Sequence, residues 1–178
     1  MIAPLPLAVI DFEASSLGSD SYPIEVGVAI ARASNTIETW STLIRPHPDW
    51  AGARWDRKAE QVHGIALAEL SNGVSAAEAL TRLNDLLAPL GHAWCDGGGF
   101  DGHWFQRLCK AAPLVRPQFR LWDIKGLFAL DRRAHNRFAD ALRGSEAPHR
   151  AGPDAARVCG AVLTAIKNKE TVDAGSEN

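Results

Sequence analysis

The stretch that most limits how this chain folds is Leu7-Ala8-Val9-Ile10-Asp11-Phe12-Glu13. Its apolar, β-branched opening predicts a buried strand, and that strand ends on two carboxylates two residues apart. Side chains alternate along a strand, so Asp11 and Glu13 share a face, about 7 Å apart. Like charges at the end of a core strand repel and lose hydration, and a divalent cation between them relieves both costs. By themselves, the same acids also fit a strand that stops at Ile10 and hands over to a solvated loop.

The 178 residues suffice for one domain with a sizeable core, expected over 1–167, with 168–178 a polar tail. Apolar residues make up 46% and charged residues 22%, which excludes a disordered polar chain. A net charge of −2 offers no general attraction for a polyanion, so a nucleic-acid partner must be gripped locally. Cys95, Cys109 and Cys159 lie far apart without C-x-x-C spacing and read as buried thiols. A secretory leader and an apolar run of membrane-spanning length are both missing, so the expected location is the cytoplasm.

Small polar residues at 14–20 predict a loop. Pro23–Ile30 and Thr36–Arg45, joined at Ser34-Asn35, then complete an antiparallel meander with the first strand. Short helical pieces are expected near Trp55–Val62 and Leu67–Leu70. An amphipathic helix follows from Ser75, whose capping box with Glu78 starts it and whose stop is Gly91. His92–Cys95 predicts a fourth strand, Phe100–Ala112 a helix and Phe119–Trp122 a fifth strand. Ile124–Leu130 is expected to be helical, 131–149 an Arg-rich connection, and the last helix to begin at Pro153. A meander followed by alternating helices and strands describes an α/β layer with a mixed sheet. Sites in such sheets lie at the carboxyl ends of parallel strands, where Asp11 and Glu13 sit.

Two further acidic points follow. Phe100-Asp101 comes just after Gly97-Gly98-Gly99, and Asp101 falls in the first turn of a helix. His149-Arg150-Ala151-Gly152-Pro153-Asp154 puts a histidine on a loop and an aspartate in the first turn of the final helix. Each aspartate also suits the positive end of a helix dipole. Together, Asp-x-Glu, Asp and Asp with a histidine five positions before the last resemble the DEDDh branch of 3′–5′ exonucleases. Val62-His63-Gly64-Ile65 is similar to a His-Gly-Ile segment of that family, and the resemblance spans 7 to about 165. The tyrosine branch is set aside because position 150 is Arg.

The resemblance implies a ribonuclease H-like mixed five-stranded sheet flanked by helices. It implies Asp11, Glu13, Asp101 and Asp154 as ligands of two Mg²⁺ or Mn²⁺ ions, and His149 as the base. Ala14, Ser15, Leu17 and His63 fall where that family meets substrate, with Leu17 a wedge against the terminal base. The implied partner is a single-stranded DNA or RNA 3′ end, and several members are homodimers. Two departures bear on specificity: Ala14-Ser15-Ser16 stands where many members carry Thr-Thr-Gly, and Asp96-Gly97 where many carry His-Asn. The competing implication is a nucleic-acid-binding or scaffold protein that keeps the fold without turnover.

This chemistry suits these residues. Paired hard cations orient water, neutralise a phosphodiester and stabilise the leaving oxygen, and carboxylates are their preferred ligands. A histidine of ordinary basicity can take a proton at neutral pH. His103, beside Asp101, is a second histidine in the region. Trp55, Trp104 and Phe105 could stack on bases or fill the core. Arg132, Arg133 and Arg137 form the one local basic cluster.

Overall fold

Strand β1 (Leu7–Ala14) divides its side chains between two cores, as period-2 alternation requires. Ala8, Ile10, Phe12 and Ala14 enter one; Leu7 and Val9 enter the other. Asp11 and Glu13 continue the face of Leu7 and Val9 past the point where it is apolar. The structure, a computed structural model, describes residues 5–33 and 35–173, the last seven as helical backbone only. Ser34 of the expected turn lies outside those residues.

The meander forms as the pattern predicts. Antiparallel β2 (Pro23–Ala33) pairs with β1, and β3 (Thr36–Leu43) pairs with β2. On the other side of β1 come two parallel strands, β4 (His92–Cys95) and β5 (Arg120–Asp123), giving a five-stranded mixed sheet of order β3-β2-β1-β4-β5. Strands β1 and β2 are covered on both faces, which explains why β2 is buried continuously from Pro23 to Ala31 rather than alternating.

After α1 (Arg57–His63), helices α2 (Ala76–Leu87) and α3 (Gly99–Ala111) pack on one face of the sheet. Helix α2 starts at the expected capping box: Ser75 Oγ accepts the Glu78 N–H and Glu78 accepts the Ser75 N–H. The other face packs on α4 (Arg132–Arg143) and α5 (Ala151–Asp173). A stripe of Ala155, Val158, Cys159 and Val162 on α5 covers Leu7, Val9, Ala29 and Ala31.

Three local expectations are corrected. The Arg-rich segment is not an irregular connection but contains α4. Asp131 caps it by accepting the Ala134 N–H, and Ala134 and Phe138, four apart, suffice to bury its inner stripe. Conversely, only Ile124–Gly126 is helical in the next segment, as a single 3₁₀ turn followed by further turns. Finally, α5 starts before Pro153 and runs to Asp173, so the expected tail is helical over its first six residues; 174–178 lie outside the described residues. Among the described residues, no helix is long and apolar enough to cross a membrane.

Candidate active site

The parallel β1–β4 pairing assembles the site. Val9 is level with Trp94, so two residues further on Asp11 is level with Asp96, at the carboxyl end of both strands. The chain turns at Gly97-Gly98, where Gly98 takes φ +56°, and α3 begins with Asp101 in its first turn. Gly97 is required by proximity: its N–H donates to Asp101 Oδ2 at 2.9 Å, and a Cβ there would lie 2.6 Å from the same oxygen.

Asp154 arrives from the opposite face. The start of α5 lies directly on Gly27 of β2, where a Cβ would meet Ala151 C and Gly152 N at 2.2 Å. Glu25, buried on the same strand, accepts from Arg150 Nε at 3.0 Å, Arg150 Nη2 at 2.8 Å and the Ala151 N–H at 3.0 Å. Asp154 Oδ2 in turn accepts the Arg150 N–H at 3.0 Å.

The result is convergence of separated segments on Asp11. Carboxylate oxygens of Asp11, Glu13 and Asp154 lie within 4.8 Å of one another, and those of Asp11, Asp96 and Asp101 do likewise. The two triads share Asp11. Asp96 is not among the expected site residues. Its signal in the chain is the period-2 continuation of Trp94 off the end of β4, which points it at Asp11 only once the parallel register is known.

Electrostatics follow from this crowding. Burial, then Asp101, Glu13, Asp96 and Asp154, hold the Asp11 carboxyl well above the usual range. Glu13 is pushed up to about 7 by burial, then by Asp154 and Glu25, with Arg150 opposing. Asp101 is pushed up to about 7 by burial and Asp96, against the Gly97 N–H and Cys95. Asp96 is raised too, mainly by burial. Oxygens around an ion at about 2.1 Å stand no more than about 4.2 Å apart. With their oxygens within 4.8 Å of one another, the carboxylates of each triad are close enough for small side-chain movements to bring them around a hard cation.

The other expected residues are placed as follows. His149 is exposed on the connection just before α5, with a left-handed backbone of φ +54°. Leu17 is 71% exposed and lines two cavities. One, of about 300 Å³, is bounded by Glu13, Ala14, His63 and Trp104. The other, of about 560 Å³, is bounded by Asp96, Gly98, Phe100, His103 and Asp123. His63 is buried; its Nδ1 accepts the Ile65 N–H at 3.0 Å, which leaves the proton on Nε2, and Nε2 has no partner among the described residues. Burial also lowers the His63 pKa, which favours the neutral ring. Ser15 is fully buried, with Oγ accepting the Tyr22 N–H at 3.2 Å, so its hydroxyl braces the loop.

Among the remaining candidates, Trp104 and Phe105 are core residues: Trp104 Nε1 donates to Ser21 Oγ and Phe105 packs with Phe12 and Phe119. Trp55 Nε1 donates to Glu60. His103 contacts the Ser21 carbonyl at 3.3 Å. Arg137 ties α4 to α5 through the Ala165 carbonyl at 2.9 Å.

No family model matches the sequence, and no curated protein does either. The fold, however, is that of known exonucleases. The chain superposes on Exonuclease I of E. coli in complex with a dT13 oligonucleotide with a TM-score of 0.67 and 14% identity, covering 94% of this chain and 42% of that one. It matches a full-length 3′-exonuclease with a TM-score of 0.67 and 18% identity, over 92% of this chain and 60% of that one. A zinc-bound form of the E. coli ExoI–ssDNA complex matches with a TM-score of 0.65 and 15% identity, over 94% and 42%. The chain spans less than two thirds of the length of each of these structures. The fold these structures share with this chain is a mixed five-stranded sheet between helices.

Proposed function

We propose that this chain is a metal-dependent 3′–5′ exonuclease that hydrolyses phosphodiester bonds from the 3′ end of single-stranded DNA or RNA and releases 5′-mononucleotides. One observation carries the reading: acids from three separated segments form two carboxylate triads that share Asp11. A cluster of partly desolvated carboxyls this dense is unfavourable without a counter-charge. Asp11, Glu13 and Asp154 would hold one Mg²⁺ or Mn²⁺, and Asp11 with Asp101 the other. Bound there, such ions neutralise the scissile phosphate and stabilise the leaving oxygen.

The chain's own groups supply the rest. His149, on its exposed connection, takes the proton of the attacking water. The exposed Leu17 stands between the two cavities and separates the terminal base from its neighbour. His63 Nε2–H, buried without an acceptor among the described residues and lining the same cavity as Glu13, donates to the terminal nucleotide. Ala14 brings no hydroxyl to that pocket, and Ser15 holds the loop shape behind it.

The test uses 3′-labelled and 5′-labelled single-stranded DNA and RNA oligomers with Mg²⁺ or Mn²⁺. Stepwise release of 5′-mononucleotides from the 3′ end, abolished in Asp11→Ala and Asp154→Ala, is the expected result. Metal-independent cleavage, or equal turnover by the Asp154→Ala variant, refutes the assignment. Tight oligonucleotide binding without cleavage by the wild-type chain favours the scaffold reading instead.

A further inference from the structure

Arg157 lies three residues beyond Asp154 on α5, and its guanidinium, whose charge also acts on Asp96 at the end of β4, is held at the end of α4. Nε donates to Ser145 Oγ at 3.0 Å, and Nη2 donates to the carbonyls of Leu142 at 2.8 Å and Ser145 at 3.3 Å. Nη1 stands 3.9 Å from Asp154 Oδ1, which keeps the fork facing the acid on its own helix. The side chain is 20% exposed.

These contacts seize the end of α4 and the start of the connection from Gly144 to Arg150. The far end of that connection is held separately, where Arg150 pairs with Glu25 and its N–H meets Asp154. Between the two anchors lies His149, exposed and with a left-handed backbone that is uncommon for a non-glycine residue. Glu25 and Arg150 fix the last residue of the connection, whereas Arg157 reaches its start from the helix that carries Asp154.

We propose that Arg157 is a positioning residue for the hydrolysis: it fixes the course of the α4–α5 connection and so sets where His149 stands relative to the carboxylate triads. The inference rests on the exonuclease reading of the site. The grip needs a planar fork with several donors, which a lysine ammonium does not reproduce.

The experiment compares full-length wild type with Arg157→Ala, Arg157→Lys, His149→Ala and the Arg157→Ala/His149→Ala pair, on a 3′-labelled single-stranded oligomer with Mn²⁺. Backbone hydrogen exchange over 144–150 is read alongside. Expected are faster exchange in that connection in both Arg157 variants, with unchanged protection over 158–165. Expected too is a fall in kcat of about 10-fold or more at unchanged KM, given the usual size of general-base effects. The double variant should be no slower than His149→Ala alone. Unaltered exchange over 144–150 overturns the proposal, and so does an equal loss from Arg157→Ala with and without His149. A wild-type chain inactive on DNA and RNA sinks the exonuclease reading and the positioning role with it, a failure told apart by exchange data that still show the tether. Arg157→Lys keeps the test decisive if Arg157→Ala does not fold.

Discussion

Glu25 and Arg150, 125 residues apart, form a two-point ion pair in which the acid is 3% exposed and the arginine 46%. The pair holds the first turn of α5 on β2, and through it Asp154 and the end of the His149 connection. Its asymmetry predicts unequal mutants. Arg150→Ala leaves a buried carboxylate with one N–H donor, a cost of about 3–5 kcal/mol. Glu25→Ala leaves a half-solvated guanidinium and an unpartnered Ala151 N–H, a cost of about 1–3 kcal/mol. Urea unfolding of both variants at neutral pH measures the order, and a Glu25→Ala variant less stable than Arg150→Ala contradicts it.

The raised carboxyls make metal-free stability depend on pH with a definite sign. Glu13 and Asp101 are pushed up to about 7 in the folded chain, so it holds protons that the unfolded chain has released. Their contribution is therefore present at acid pH and is lost as pH rises from about 4 through 7. Metal requires the ionised forms, so its stabilisation grows over the same range. Glu13→Gln should raise the metal-free Tm at pH 8, by about 2–4 °C for each kcal/mol of repulsion removed. It should also shrink the Tm gain from Mn²⁺. Calorimetry from pH 5 to 8, with and without Mn²⁺, reads both. A metal-free Tm unchanged by Glu13→Gln at pH 8 contradicts the repulsion argument.

How much of this is legible in the sequence depends on the range of the interaction. Asp11 and Glu13 sharing a face follows from period-2 alternation alone, and the Ser75–Glu78 box is written within four residues. Helix α4 is hidden because Arg132, Arg133, Arg137 and Arg143 outweigh its two buried residues, so its inner stripe is narrow. The Glu25–Arg150 pair, the Gly27 contact and the approach of Asp96 to Asp11 are all long-range. They arise from strand register and helix docking, which no local window contains. For the same reason Asp96 stands out in the chain as a departure from a motif but not as a neighbour of Asp11.

Gly27 supplies a sharper packing test. A Cβ at that position would lie 2.2 Å from backbone atoms of Ala151 and Gly152, which cannot rotate away. One at Gly152 would meet Ser41 Oγ at 3.0 Å, which can turn aside, and Ser41 Cβ at 3.1 Å, which must give by a few tenths of an ångström. Gly27→Ala should cost about 3 kcal/mol or more, or prevent folding, while Gly152→Ala should cost about 1 kcal/mol. Thermal denaturation ranks the pair. A Gly27→Ala chain at least as stable as Gly152→Ala would show that α5 does not sit this close to β2.

Gly97 tests the site with little effect on the fold. A Cβ there would stand 2.6 Å from Asp101 Oδ2, the movable end of a side chain, while the Gly97 N–H orients that oxygen at 2.9 Å. Gly97→Ala therefore displaces one carboxylate of the Asp11–Asp96–Asp101 triad and leaves the Asp11–Glu13–Asp154 triad in place. Stability should change little, because the strain is relieved by a side-chain rotation rather than by backbone. Turnover should fall by up to about 100-fold, the usual penalty when a group is misplaced by about 1 Å. Mn²⁺ titration should show one weakened ion and one unaffected. A variant with full activity and two wild-type Mn²⁺ affinities would mean that Asp101 need not stand where Gly97 holds it, and the second triad would lose its claim to a role in the reaction.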